Sequence, residues 1–385
     1  MIIERSYRLG STGPEVAEIR VRLTALGLLD DTTDGFQDPG TAVFDEAVDR
    51  AVRAFQQRRG IISDGVVGPL TFRALEEARW RLGDRILHFS LNHPLTGDDV
   101  AALQQRLIDL GFDPGRMDGI FGPDTESALR DFQRNIGITA DGTAGPLTFK
   151  ALTQLTRTVR GGSPQAMRDA ERIHRAGPAL TGKVLVVDPG HGGADRGAVG
   201  HGLEEVQIVH DLAARIEGRL NALGGFAFLT CGPEGNPSDA ERAGFANGAE
   251  ADLLISLHCD QHSNPEASGV STYHYGNDRY GHSSAIGAEF AGLVQREIVA
   301  RTDLQNCRTH AKTWDLLRHT RMPAVRIELG YVTNAADAAK LADATFRDAV
   351  AEAVVVAVQR LYLPADQDTD TGVLRLPLAP EALRR

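Results

Sequence analysis

Cysteine is scarce: Cys231, Cys259 and Cys307 are widely spaced and odd in number among 385 residues. They provide no disulfide framework. No stretch approaches the ~20 consecutive apolar residues that a membrane-spanning helix needs. The opening M-I-I-E-R-S-Y-R-L-G lacks the apolar core of a secretory signal. These absences predict a cytoplasmic protein without a membrane span; a wall or extracellular location would require an export route outside the signal-peptide system. Basic charge is also short, with 41 Lys+Arg against 52 Asp+Glu and a net charge of −11. No basic field exists to displace phosphate counterions, which excludes nucleic acid as a partner. A hydrophobic share of 42% still supports substantial cores, and the length implies two or three domains rather than one.

The N-terminal part repeats itself. V-A-E-I-R-V-R-L-T-A-L-G-L at 16–28 matches V-A-A-L-Q-Q-R-L-I-D-L-G-F at 100–112, and 51–75 matches 128–152. The offset falls from 84 (16 to 100) to 77 (51 to 128), so the first copy carries seven extra residues, within 30–44. Apolar residues recur at helical spacing and D-G and G-P turns separate the helices, which predicts a three-helix domain in each copy. The boundaries are expected at 1–80 and 81–157, followed by a linker at 158–181 with a short polar helix over 164–174. Any ligand groove must use loop residues, with Asp118, Asp141 and the turn at 119–122 as candidates.

From 182 to 363 strands and helices alternate, which predicts an α/β domain with a mostly parallel central sheet. Strands are expected at 183–188, 226–230, 252–258, 314–317 and 324–329, with an extended segment at 269–275. Helices are expected at 204–220, 238–248, 283–301 and 345–362, the second opened by a Ser238/Glu241 capping box. K-V-L-V-V-D-P-G-H ends an apolar strand on a Pro-Gly break that presents His191. D-L-L-I-S-L-H and P-A-V-R-I-E place His258 and Glu328 at two further strand ends, where parallel sheets gather their sites. Glu205 starts a helix within reach of His191. Two imidazoles and a carboxylate suit a catalytic Zn²⁺ with a position left for water, and a second carboxylate suits a base for that water.

V-D-P-G-H-G-G (187–193), G-L-E-E (202–205), S-L-H (256–258) and E-L-G-Y-V-T-N (328–334) resemble the zinc-dependent N-acetylmuramoyl-L-alanine amidases over about 182–362. The resemblance implies His191, Glu205 and His258 as Zn²⁺ ligands and Glu328 as the catalytic glutamate. It also implies peptidoglycan or muropeptides as substrate. Glu204 competes with Glu205 for the third position; the resemblance favours Glu205, because the family's ligand starts the helix whose apolar face continues here as Ile208, Val209, Leu212 and Ile216. The D-G-x-x-G-P-x-T turns resemble the peptidoglycan-binding domain type 1 family in both repeats.

Three residues depart from the amidase pattern. Arg326 replaces an apolar residue on the strand face of Glu328, where it would weaken that carboxylate as a base or stabilise an oxyanion. Asp260 stands where asparagine is common. Cys259 replaces a small residue and is turned by strand alternation toward the core. Among other histidines, His201, His262 and His274 are placed near the cleft, His210 and His282 on helix surfaces, and His319 with Arg318 and Arg321 before the last strand. The segment 364–385 has prolines, charges and no periodicity, which predicts a flexible tail. Thr369 and Thr371 there are candidate phosphorylation sites for an arginine-lined phosphothreonine-binding protein. Two functions follow: a zinc amidase, and a non-hydrolytic cytosolic regulator or scaffold of precursor synthesis that keeps the amidase fold and is controlled through its tail.

Overall fold

The computed structural model describes residues 6–30, 39–155, 164–277 and 282–363. Its contacts divide the chain into two compact units. One comprises Met1–Met167, Gly276–His282 and Lys312–Trp314; the other comprises Arg168–Tyr275, Ser283–Ala311 and Asp315–Arg385. Thr369 and Thr371 lie outside the described residues.

The first unit contains helices α1 (Pro14–Ala25), α2 (Glu46–Arg59), α3 (Pro69–Ala78), α4 (Asp98–Asp109), α5 (Pro123–Asn135) and α6 (Pro146–Gln154). They surround two separate cores, one built on Ile19, Leu23, Phe44, Phe55 and Leu75 and the other on Leu103, Leu107, Phe121, Phe132 and Leu152. The prolines of the G-P pairs open α3, α5 and α6, where a missing N–H costs nothing and the fixed φ favours the first turn. Asp45 caps α2, and Gly60 ends it with a left-handed φ of 68°.

Three turns share one internal brace. Gln56 Nε2 donates to Asp64 Oδ1 (2.8 Å), Val66 O (2.9 Å) and Thr71 Oγ1 (3.1 Å), while its Oε1 accepts the Gly65 N–H (2.9 Å). Gln104 does the same with Asp118, Ile120, Thr125 and Gly119, and Gln133 with Asp141, Thr143, Thr148 and Gly142. Asp118 and Asp141 therefore shape turns: each also accepts the N–H two residues on, from Ile120 and Thr143, at 2.8 Å. The turn at 118–125 is a further copy of D-G-x-x-G-P-x-T, braced by Gln104 of α4 rather than by a residue of α5.

The rest of the chain begins with α7 (Pro164–Arg175), which continues into the second unit from Arg168, and β1 (Val184–Pro189). The short strands β2 (Val199–Gly200) and β3 (Leu203–Glu204) then form an antiparallel pair. Next come α8 (Glu205–Ala222), β4 (Phe226–Leu229), α9 (Asp239–Gly248), β5 (Leu253–Asp260), β6 (Val270–Asn277) and β7 (His282–Ser283). The order ends with α10 (Ala285–Arg301), β8 (Asn306–Lys312), α11 (Asp315–His319), β9 (Ala324–Tyr331), α12 (Ala335–Ala342) and α13 (Ala344–Leu361). The sheet runs β4-β1-β5-β9-β6-β7, with β8 on β6. β4, β1, β5 and β9 are mutually parallel, whereas β6 is antiparallel to β9, so the sheet is mixed and mostly parallel. β1 and β5 are buried almost throughout, as strands covered on both faces must be.

The strand expected at 314–317 is instead α11. Leu316 and Leu317 are both buried in this helix. Asp315 in the first turn and Arg318 and His319 in the last complement the helix dipole. β8 and α12 add elements that the sequence pattern did not reveal. The Ser238/Glu241 capping box is present at α9.

Candidate metal centre

The parallel strands β1, β5 and β9 bring their carboxyl ends to one edge of the sheet. His258 on β5 pairs in register with Glu328 on β9, and Ser271 of β6 lies across from Glu328. His191 follows the break after β1, and Glu205 is the first residue of α8. Glu205 Oε1 lies 3.0 Å from His258 Nδ1 and 3.1 Å from His191 Nε2. One ligand atom from each of the three residues lies within 4.8 Å of the others, a grouping able to hold a metal ion. Glu204 instead pairs with Arg196, so the helix start directs Glu205 and not its neighbour between the two histidines.

Close backbone approach makes room for the cluster. A Cβ at Gly190 would collide with the His258 ring, and one at Gly197 would meet Glu205 and His191. Gly197 also has a φ of +65°, a conformation other residues rarely adopt. The P-G-H spacing is thus a packing requirement of the site as well as a strand break.

A second layer fixes the donors. His191 Nδ1 lies 2.9 Å from Asp195 Oδ2, which leaves Nε2 facing Glu205. Glu205 accepts the N–H groups of Ala198 (Oε2, 2.8 Å) and Cys259 (Oε1, 2.8 Å). His210 is half-buried on α8, and its Nε2 lies 2.9 Å from the His191 carbonyl oxygen, so it braces the ligand loop rather than facing solvent. Below the loop, buried Asp188 accepts hydrogen bonds from Ser256 (2.7 Å), Thr230 (2.5 Å) and Arg242 (2.6 Å), tying β1 to β5, to the residue after β4 and to α9.

Electrostatics follow this layout. Burial opposes ionisation of Glu205, yet the two imidazoles and the Ala198 amide hold its carboxyl well below the usual range. Burial would also lower His191, but the carboxylates of Glu205 and Asp195 outweigh it and raise its pKa. A bound cation would replace the protons that these groups otherwise share. Burial pushes the Cys259 thiol well up; the side chain is packed in the core and is not a nucleophile.

Arg326 stands on the face of Glu328, as the strand periodicity indicates. Its Nε and Nη2 lie 2.8 and 2.7 Å from Glu328 Oε1. Burial works against the guanidinium, and the Glu328 carboxylate more than compensates by raising its pKa. Asp260 is raised by burial and by Glu328 and shares a hydrogen bond with Tyr331.

The remaining histidines separate from the cluster. His201 is exposed with Nε2 3.3 Å from Thr333 O. His262 is exposed and accepts the Asn264 N–H. His274 is buried in β6. His282 opens β7 rather than lying on a helix. His319 ends α11 with Nδ1 2.7 Å from Asp315 O. Sequence reasoning missed Asp195, Asp188 and His210 as supports; only Asp195, four residues after His191, carried a readable signal.

The N-acetylmuramoyl-L-alanine amidase family model matches residues 185–360, and the putative peptidoglycan binding domain matches 12–75 and 96–152. The N-acetylmuramoyl-L-alanine amidase CwlM of Mycobacterium tuberculosis is 48% identical over 375 residues, covering 95% of this chain and 92% of that protein. LytC of Bacillus subtilis, named as the same activity, is 31% identical over 175 residues, covering 46% of this chain and 34% of LytC. Among solved structures, the amidase AmiC2 of Nostoc punctiforme aligns with a TM-score of 0.43 and 28% identity, over 46% of this chain and 96% of that one. Among the described residues no helix is long and apolar enough to cross a membrane. With its two peptidoglycan-binding domains ahead of the catalytic-type domain, the chain belongs to the N-acetylmuramoyl-L-alanine amidase family.

Proposed function

We propose that the chain hydrolyses the amide between the muramoyl lactyl group and the L-alanine of the stem peptide, in peptidoglycan or its fragments, as a zinc enzyme. The observation that carries this reading is Glu205 held between His191 Nε2 and His258 Nδ1, with Glu328 in register beside His258. His191, Glu205 and His258 would hold Zn²⁺, which supplies a Lewis acid for the scissile carbonyl and acidifies a water. Asp195 fixes the His191 tautomer and ring orientation. Glu328 accepts the proton of the attacking water and returns it to the alanine nitrogen as the C–N bond breaks. The products are a free lactyl carboxylate and a stem peptide with a free amine, and no covalent enzyme intermediate is needed. The two N-terminal domains support binding of wall polymer or its precursors.

A second reading, a regulator that keeps the fold without turnover, draws support from one contact. The Arg326 guanidinium pairs with Glu328, the residue that would have to act as the base, at 2.7 Å. Mass spectrometry of a soluble muramoyl-tripeptide incubated with the zinc-loaded full chain decides between them. A cut that adds one water and exposes the alanine amine supports the amidase. An uncut peptide, or cleavage at another bond, contradicts it.

A further inference from the structure

We propose that the outer edge of β4 is a docking surface for the chain's own C-terminal segment. Residues 374–378 add there as a parallel strand, and Leu374, Leu376 and Leu378 cover Phe226 and Phe228.

β4 ends the sheet, and its two faces differ. Ala227 is buried in the core on the side that α8 covers. Phe226 and Phe228 are 55% and 45% exposed. Their register with Val184 and Val186 puts them on the face of Asp188, which Arg242 of α9 holds at 2.6 Å. Val186 is fully buried on that face, so the cover reaches β1 and stops before β4. Phe245, 43% exposed, lines the same margin. It stands about 200° around α9 from Asn247, whose Nδ2 donates to His319 O at 2.8 Å beside α11. Since α11 packs on β9, farther along the sheet, Phe245 lies on the β4 flank of its helix. A parallel sheet is normally covered on both faces, and a bare apolar edge invites another strand.

The chain's own residues supply that strand. L-R-L-P-L at 374–378 alternates, with three leucines on one side and Arg375 and Pro377 on the other. The described residues end at Leu363, beside the amino end of β4. Lys183 Nζ lies 4.4 Å from the Tyr362 ring centroid, and Lys183 O accepts the Phe226 N–H at 2.8 Å. The eleven residues 364–374 reach up to about 36 Å, against about 13 Å for the four residues of β4. A strand entering at that end runs parallel to β4. Phe226 and Thr230 donate toward β1, to Lys183 O and Val187 O, so alternation turns the Ala227 and Leu229 backbone outward. Asn221 Oδ1 holds the Ala227 N–H at 2.8 Å, and the edge therefore presents Ala227 O and the Leu229 N–H. In parallel pairing one residue meets both: Leu376 donates to Ala227 O and accepts from the Leu229 N–H. Its side chain then lies beside Phe228, with Leu374 beside Phe226. Pro377, which has no N–H, faces away from β4, where none is needed. Arg375 falls on the other face, by the carboxyl end of α8 that Asn221 marks, where a cation is favoured. An antiparallel strand with the same proline outward would put the leucines on the α8 face instead.

Hydrogen exchange of the full chain, resolved to single amides by mass spectrometry over a concentration series followed by sedimentation, tests this. In the monomer, the Leu229 amide should exchange about tenfold slower in the unmutated chain than in Leu376→Asp. That variant changes no residue of the described fold. Phe228→Asp, at an exposed position, should speed exchange of the Leu374 and Leu378 amides by a similar factor. Pro377→Ala should leave Leu229 as slow as in the unmutated chain, because the new N–H points outward. Exchange at Leu229 that is equal with and without Leu376→Asp overturns the proposal. Protection at Leu229 that appears only as the chain dimerises, and survives Leu376→Asp, makes a second copy the occupant and overturns it too.

Discussion

Two sets of buried polar residues mark this chain, and they spend their hydrogen bonds differently. In the N-terminal unit, Gln56, Gln104 and Gln133 close on the backbone and on the Asp and Thr of their own turns. Donors and acceptors face one another locally, and the motif is complete in itself. At the sheet edge of the second unit, His191 and His258 come from distant parts of the chain and converge on one carboxylate oxygen, Oε1 of Glu205. One ligand atom from each of the three residues lies within 4.8 Å of the others, a grouping that could hold a metal ion. Polar motifs that close on backbone build a turn, and polar motifs that close on one another build a site.

Substitutions test this contrast, beginning with the largest expected effect. Glu205→Ala should lower zinc affinity more than about 100-fold, beyond the loss typical of an outer partner. A competition titration with a chromophoric chelator measures it, and unchanged affinity would break the contrast. Asp195→Ala, which removes only the partner of His191 Nδ1, should cost about 10- to 100-fold in the same titration. Gln133→Ala should leave zinc affinity alone. It should destabilise the second repeat by about 1–3 kcal/mol, because the Gly142 N–H and Asp141 lose a buried partner. Urea unfolding followed on that unit reads the change.

The smallest effect belongs to a surface network that is neither turn nor site. Asp211 meets Arg215 (2.8 Å) and Arg347 (2.6 Å), and these arginines hold its pKa below the usual range against the burial that would raise it. A carboxyl depressed by folding stabilises the protein above its unfolded pKa of about 4 and loses that contribution as pH falls through the lower folded value. The unmutated chain should therefore exceed Asp211→Asn by less than about 1 kcal/mol at neutral pH, with the gap closing under acid. A gap that widens on acidification would show that the sign is wrong.

Much of the fold was legible because its signals are local. Apolar runs broken by P-G-H or ended by S-L-H announce buried parallel strands with side chains presented at their ends. The preference for Glu205 over Glu204 comes from the resemblance, in which the ligand starts a helix, together with the apolar face that continues here from Ile208 to Ile216. What stayed hidden depends on tertiary partners. N-C-R-T-H-A-K forms β8 without any apolar alternation. D-L-L-R-H forms α11 because both leucines find cover. His210 reads as a surface residue until the ligand loop folds over its ring. Asp118 and Asp141 read as groove residues until Gln104 and Gln133 are seen to hold them.

The most direct test of the central claim measures zinc content and amide cleavage on one purified sample of the full chain, beside Glu328→Ala. Both polymeric peptidoglycan and soluble muramoyl-peptides should be offered. The account predicts one zinc per chain in both proteins, with cleavage at the lactyl–alanine bond by the unmutated chain and none by the variant. Zinc bound with no turnover on either substrate, or turnover that survives the loss of Glu328, would contradict it.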